Sequence, residues 1–278
     1  MQGAQVFQVA RRSRHVPALR RILEEAVTSS EECRVAHSAS SVEEAPADKN
    51  AEQAAGEPAG DKDPFGRPGA PKHPADLQLE RVYRQVGNKE NHHVIVVEQT
   101  FTNAPHEIWA ALTDPENLAV WFEPVTVTSK EDRRFRTEKT GTEGTVQIFD
   151  APRLLQLTWT NDGQDSELQI SITQTAAGSS LTLRHRVPAN EHWDTYGAGA
   201  TGVGWDGAFL ALHAFLSGRA ATVRQRMEEL EGSERGKRFI DATAKAWEKA
   251  QIAAGSDEDA AHAQAERTAA FYKGEATA

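Results

Sequence analysis

The 278-residue sequence has one cysteine, Cys33, so no intramolecular disulfide can form and the core must be held by packing alone. That economy of cysteine matches a reducing compartment, and the cytoplasm is the expected location. No run is apolar for the roughly 18 residues that a membrane-spanning helix requires; the most apolar stretch, 203–216, contains Asp206 and His213. Arg11-Arg12 is followed by a basic segment broken by Pro17, not by a hydrophobic one, so the pair does not read as an export signal. Positive charge is in short supply: 31 Lys and Arg face 41 Asp and Glu, a net charge of -10, which disfavours nucleic acid as a partner. No cysteine cluster, phosphate-binding glycine loop or paired-carboxylate signature is present, and no cofactor is expected.

Large apolar residues are missing from one region in particular. Residues 28–75 contain no Leu, Ile, Met, Trp or Tyr, and Pro46, Pro58, Pro64, Pro68, Pro71 and Pro74 interrupt any regular element. Such a segment cannot bury enough surface to offset its ordering entropy, so 1–75 is expected to be largely disordered. Five arginines between 11 and 21 read as a solvated, marginal helix ahead of it, the sharper alternative being a basic segment that touches an anionic surface.

Folding content begins near Asp76, and all six tryptophans lie beyond that point. Residues 76–93 are a lead-in whose apolar spacing fits either a helix or an edge strand. The stretch 94–102 is β-rich. Pro105 opens a helix at its first turn, where a missing N–H costs nothing, and the helix stops before Pro115. A short turn then delivers Trp121-Phe122.

Six further strand-like runs follow at 125–129, 133–139, 145–149, 154–160, 168–173 and 181–187. Leu155, Leu157 and Trp159 alternate with polar residues, as do Leu168, Ile170 and Ile172, and Leu181, Leu183 and His185. Period-two alternation gives a sheet with one covered face and one wet face. Ala176-Ala177-Gly178-Ser179 is a tight connection between antiparallel neighbours, and the strands total seven.

The stretch 198–216 is a long helix that is apolar nearly all round, with Trp205, Phe209, Leu212 and Leu216 on one stripe. One sheet covers only one side of a helix, so another element must cover the rest. Helical spacing of Phe239, Ala242, Ala246 and Ala250, with Trp247 beside them, supplies it within the helical extension 218–278. Gly255 should end that helix and Ser256 cap the next.

The run Ala104-Pro105-His106-Glu107-Ile108-Trp109-Ala110-Ala111-Leu112-Thr113-Asp114-Pro115-Glu116-Asn117-Leu118-Ala119-Val120-Trp121-Phe122 resembles the opening of proteins similar to the C-terminal domain of the activator of the heat-shock protein 90 ATPase. These belong to the START-like (SRPBCC, polyketide cyclase/dehydrase) superfamily. Pro152-Arg153-Leu154-Leu155 leading to Trp159, the strand Leu181-Thr182-Leu183-Arg184-His185, and Gly202-Val203-Gly204-Trp205-Asp206 at the start of the long helix match in the same order. Ala246-Trp247-Glu248-Lys249-Ala250 and Ala265 to Ala270 are similar to extensions of bacterial members, and nothing resembles the N-terminal domain of the eukaryotic co-chaperone. The resemblance implies an α+β helix-grip (START-like, Bet v-like) domain over 94–217, a curved antiparallel sheet wrapped on the long helix around an apolar cavity. It assigns a cavity and no reaction.

Alternation places Trp159, His185, Trp205 and Phe209 in or beside that interior, with Trp121 and Phe122 near its mouth. These six are the candidate ligand contacts, against the plainer reading that the rings pack as core. His185 is the one inward acid–base residue. Asp206 and His213 lie two helical turns apart, about 10.5 Å, too far for a dyad, and read as a polar stripe under the tail helices. His92-His93 cannot chelate together, because neighbours on a strand point to opposite faces. Gly202-Val203-Gly204 reads as a close helix–sheet approach. The expected function is sequestration of a small apolar or amphipathic molecule without catalysis. The alternatives are a cyclase- or hydratase-type enzyme with His185 as general base, and a protein-interaction module such as a chaperone partner using the outer sheet face.

Overall fold

The computed structural model describes residues 72–89 and 91–275. The expectation of disorder for 1–75 therefore falls almost wholly outside the described residues. The chain opens with α1 (Pro74–Arg81), β1 (Tyr83–Asn88) and β2 (His92–Phe101), followed by α2 (Pro105–Thr113) and α3 (Pro115–Trp121). Six strands come next: β3 (Val125–Ser129), β4 (Arg134–Thr137), β5 (Glu143–Asp150), β6 (Leu154–Asn161), β7 (Gln164–Thr175) and β8 (Gly178–Pro188). The short α4 (Glu191–Tyr196) leads to the long α5 (Gly199–Ala214), and α6 (Val223–Leu230), α7 (Glu234–Ala253) and α8 (Glu258–Lys273) complete the chain.

The sheet is antiparallel, with strand order β1-β2-β8-β7-β6-β5-β4-β3. It has eight strands where the alternation pattern suggested seven, because the lead-in is both a helix and a strand. Leu77 and Leu79 lie in α1, and the chain then extends into β1, which pairs with β2 from Tyr83↔Glu98 to Asn88↔His93. Register shifts between Val127 and Ser129 and between Val146 and Ile148 interrupt the ladder. Such bulges bend a strand and sharpen its twist locally. Gly144 makes one close approach feasible: a Cβ there would lie 2.5 Å from the Phe135 ring on the paired strand.

α5 is buried along almost its whole length, from Gly199 to Leu212. The sheet takes one side. The tail helices take the other, as the surplus of apolar surface requires: Trp247 of α7 is 0% exposed and Phe239 packs with Leu210, Leu230 and Ala75. The glycine at 202 serves this contact, since a Cβ there would come 2.2 Å from the Trp247 ring. The close approach is therefore between two helices and not between helix and sheet.

Asp206, 0% exposed, lies beneath the same helix. It accepts two hydrogen bonds from Arg84 of β1, Nε–Oδ2 3.0 Å and Nη2–Oδ1 2.5 Å, and a third from Trp247 Nε1 at 2.8 Å. Burial pushes the Asp206 carboxyl up, and the guanidinium and the indole N–H pull it back. Its half of the expected polar stripe is thus a three-element junction. His213 instead takes a hydrogen bond from Arg81 at 3.0 Å, and burial with two nearby arginines lowers its pKa.

Gln251 of α7 accepts from the N–H of Ala198 at 2.8 Å and so caps α5, whose own N-cap residue has no side-chain oxygen. α7 runs to Ala253 and α8 begins after Asp257, whose carboxylate accepts from Ala260 N; Asp257, not Ser256, is the cap. Asp257 is one residue closer to the first helical turn, and its side chain reaches the third N–H.

Trp247→Ala should cost about 3–5 kcal/mol in urea unfolding. Trp247→Phe keeps the ring against Gly202 but leaves the buried Asp206 one donor short, for a smaller loss of about 1–3 kcal/mol. Equal losses in the two variants would mean that the N–H, and not the ring, carries the contact. Deleting 232–278 should leave a protein that binds a hydrophobic dye.

Candidate functional site

The concave face of the sheet and α5 do not meet fully. Between them lies a cavity of about 350 Å³. Its walls come from inward residues of β3 to β8, from the α5 stripe carrying Trp205, Ala208, Phe209 and Leu212, and from Leu112, Leu118, Trp121 and Phe122 of the α2–α3 region. The strand contribution follows directly from alternation: Leu155, Leu157, Leu168, Ile170, Leu181 and Leu183 all face in. Trp121 is anchored by its indole N–H to the Ala111 carbonyl at 2.9 Å, which fixes the ring at the cavity wall. Phe135 lies over Gly144, 6.3 Å from Trp159.

A second, smaller space of about 140 Å³ adjoins the first and shares Phe122, Trp159, Trp205 and Ala208 with it. Trp159 and Trp205, with ring centroids 5.9 Å apart, form the partition. The smaller space is the more polar of the two: Ser166, His185, Asn161, Thr142 and Tyr272 contribute to it beside its apolar lining. Of the six residues singled out from the sequence, Trp121, Phe122, Trp159, Trp205 and Phe209 line the larger cavity. His185 does not. It shares its strand face with Leu181 and Leu183, but lies further along the strand, behind the tryptophan partition.

The hydrogen bonds of His185 define its state. An indole N–H can only donate, so Trp205 Nε1 at 3.1 Å makes His185 Nδ1 an acceptor. The proton is then on Nε2, which donates to Ser166 Oγ at 2.9 Å, and Ser166 donates onward to the Trp159 carbonyl at 2.6 Å. Both ring nitrogens are committed within the protein. Burial lowers the imidazole pKa to about 4, so the ring is neutral through the physiological range. A general base needs a lone pair directed at substrate, and the one lone pair of His185 is occupied by Trp205.

The adjacent histidines also separate as the strand period requires. His93 stacks on Trp193 at 3.8 Å, whereas His92 approaches Arg186 at 3.4 Å. Among the described residues, no three His, Cys, Asp or Glu side chains come together as a metal site would need, and no helix is long and apolar enough to cross a membrane.

Sequence reading missed the polar space, since Ser166 and Tyr272 come from segments unconnected to it by any motif. It also missed the charged residues Lys130, Arg133 and Arg134 that line the larger cavity. Their clustering within residues 130–134, at the connection of β3 to β4, was the available signal.

Residues 103–217 match the family described as Activator of Hsp90 ATPase homolog 1-like protein. No curated protein matches the chain. Among solved structures, the chain is similar to the crystal structure of CalU16 from Micromonospora echinospora, at 24% identity over 53% of this chain and 94% of that one, with a TM-score of 0.43. The solution structure of CalU16 aligns at 20% identity over 63% and 97%, with a TM-score of 0.46. Protein MLL2253 from Mesorhizobium loti aligns at 22% identity over 45% and 96%, with a TM-score of 0.39.

The buried imidazole has a stability consequence. Its folded pKa of about 4 lies below the unfolded value of 6.5, so between these values the unfolded chain holds more protons. The stabilisation is complete above pH 6.5 and declines as pH falls toward 4, by about 3 kcal/mol in all. Urea unfolding at several pH values should show a steeper decline in the wild type than in His185→Gln, whose remaining decline comes from other histidines with lowered pKa values such as His213. Parallel pH profiles for the two proteins would contradict the buried neutral state.

Proposed function

We propose that this chain, whose residues 103–217 form an Activator of Hsp90 ATPase homolog 1-like domain of the START-like superfamily, holds a small apolar or amphipathic molecule between its sheet and long helix. The observation that carries the reading is the unfilled apolar space of about 350 Å³, within the range of roughly 300–1,000 Å³ typical of ligand pockets. Protein interiors ordinarily pack without voids of this size. Trp121, Phe122, Trp159, Trp205 and Phe209 would supply the flat contact surface, and the leucines of β6 to β8 the aliphatic one. On this reading His185 acts at one remove, by holding the Trp205 ring that faces the guest.

An enzymatic role with His185 as base is the weaker reading, because a substrate in the larger cavity would meet the tryptophans and not the imidazole. A docking role through an apolar outer surface also has less support. Among the described residues the exposed large hydrophobics are Tyr83 at 57% and Ile148 at 39%, on β1 and β5, which are not neighbours in the sheet. A recognition patch would need contiguous apolar area.

Titration with the neutral fluorophore N-phenyl-1-naphthylamine tests the proposal. Binding should raise its emission and quench that of the tryptophans. Val146→Trp, which places bulk into the cavity from a half-buried position, should weaken binding by about tenfold or more while leaving the unfolding midpoint near that of the wild type. Unaltered titration in that variant would locate the probe elsewhere and count against the cavity as the binding site.

A further inference from the structure

We infer that the guest of the larger cavity is an amphiphile whose polar end is an anion, held at the rim by Lys130, Arg133 and Arg134; this rests on the cavity reading above. No carboxylate and no histidine line the cavity, and these three cations are its only charged lining residues. All three are solvent-exposed while also lining the space, which puts them at its rim. Lys130 and Arg133 come from the turn between β3 and β4 and Arg134 opens β4, and Trp121 and Phe122 line the same cavity. In a chain of net charge -10, a mouth whose lining carries charge of one sign, and that sign positive, runs against the average of the surface.

The same turn contains Glu131 and Asp132, neither of which lines the cavity. Asp132 reaches Arg134 at 3.9 Å and Ser129 Oγ at 3.2 Å. Lys130 and Arg133 have no ion-pair partner among the described residues. Arg133 also has φ 55°, a left-handed backbone that favours glycine and disfavours a branched-out cation. Its amide donates to Lys130 O at 3.2 Å, closing the turn, and its carbonyl accepts from Val146 N at 3.0 Å, which ties the turn to the cavity wall. An arginine in a conformation suited to glycine, without a partner and at the rim of an apolar space, fits a side chain retained for what it binds. The volume gives the size of that guest: about a dozen water-sized groups. A single acidic group on a medium-length hydrocarbon or a small fused ring system satisfies both ends.

Displacement of N-phenyl-1-naphthylamine by dodecanoate, 1-dodecanol and dodecyltrimethylammonium, at neutral pH and low salt, separates the contributions. Dodecanoate should compete about tenfold more strongly than dodecanol, and the cationic amphiphile most weakly. High salt should shrink that gap, because the cations are exposed. Combining Lys130→Ala, Arg133→Gly and Arg134→Ala should bring dodecanoate down to dodecanol while dodecanol itself is unmoved. Arg133→Gly alone should hold or raise the unfolding midpoint, so its loss of dodecanoate affinity cannot come from unfolding. Equal competition by dodecanoate and dodecanol, with probe binding intact, would overturn the anion assignment and leave the cavity reading standing. Failure of the probe and of every amphiphile would overturn both. Co-sedimentation with anionic vesicles without competition by dodecanoate would assign the cations to a membrane surface and overturn the inference.

Discussion

The Arg84–Asp206 ion pair, completed by the Trp247 N–H, is the constraint on which the rest of the architecture depends. It ties the edge strand, the long helix and the tail across separations of 122 and 41 residues. A carboxylate this deep is tolerated because it is charge-paired and accepts three hydrogen bonds, two from a rigid guanidinium fork and one from an indole. Loss of Arg84 would leave the carboxylate buried without a charge partner, and loss of Asp206 would leave the guanidinium so. The helix is consequently held from its outer side, and its inner side is free to face an incompletely filled space without the whole packing inward on it.

That division of labour explains why α5 can be apolar all round and still leave a cavity. The tail side is close-packed, down to a glycine that admits the Trp247 ring. The sheet side is spanned by large rings that touch at their edges, with Trp159 set against Phe122, Phe135 and Trp205 at 5.9 to 6.4 Å. Rings meeting in tilted pairs bridge a gap without filling it. The family match covers 103–217, so β1, α1 and the tail that make this outer clamp lie beyond it.

Much of the fold was legible in the residues. Alternation identified the inward leucines of β6, β7 and β8, and the excess of apolar surface on α5 called for the tail helices that cover it. The reasons for the misses are specific. The stretch 76–86 gave mixed spacing because it holds two elements, each too short to show a period of its own. His185 was assigned to the right face, yet a period of two says nothing about position along a strand, and the partition by Trp205 is a tertiary fact. Arg84 carried no local signal at all, since its partner is contributed by a distant helix. The rim cations were visible as a basic turn, but only the curvature of the sheet brings that turn to the cavity mouth.

The hydrogen bond from Trp205 to His185 has one more consequence. The cavity ends at the Trp205 ring, and that ring cannot swing aside without surrendering its N–H bond to the buried His185. Opening the passage to the polar space therefore costs about 1–3 kcal/mol before a guest makes any new contact. A molecule short enough to stop at the ring incurs none of this, whereas each longer homologue must overcome it to gain a further increment of buried length. The bond acts as a ruler: it sets a length beyond which added carbon ceases to improve the fit, and it does so by a polar interaction that no apolar guest can replace.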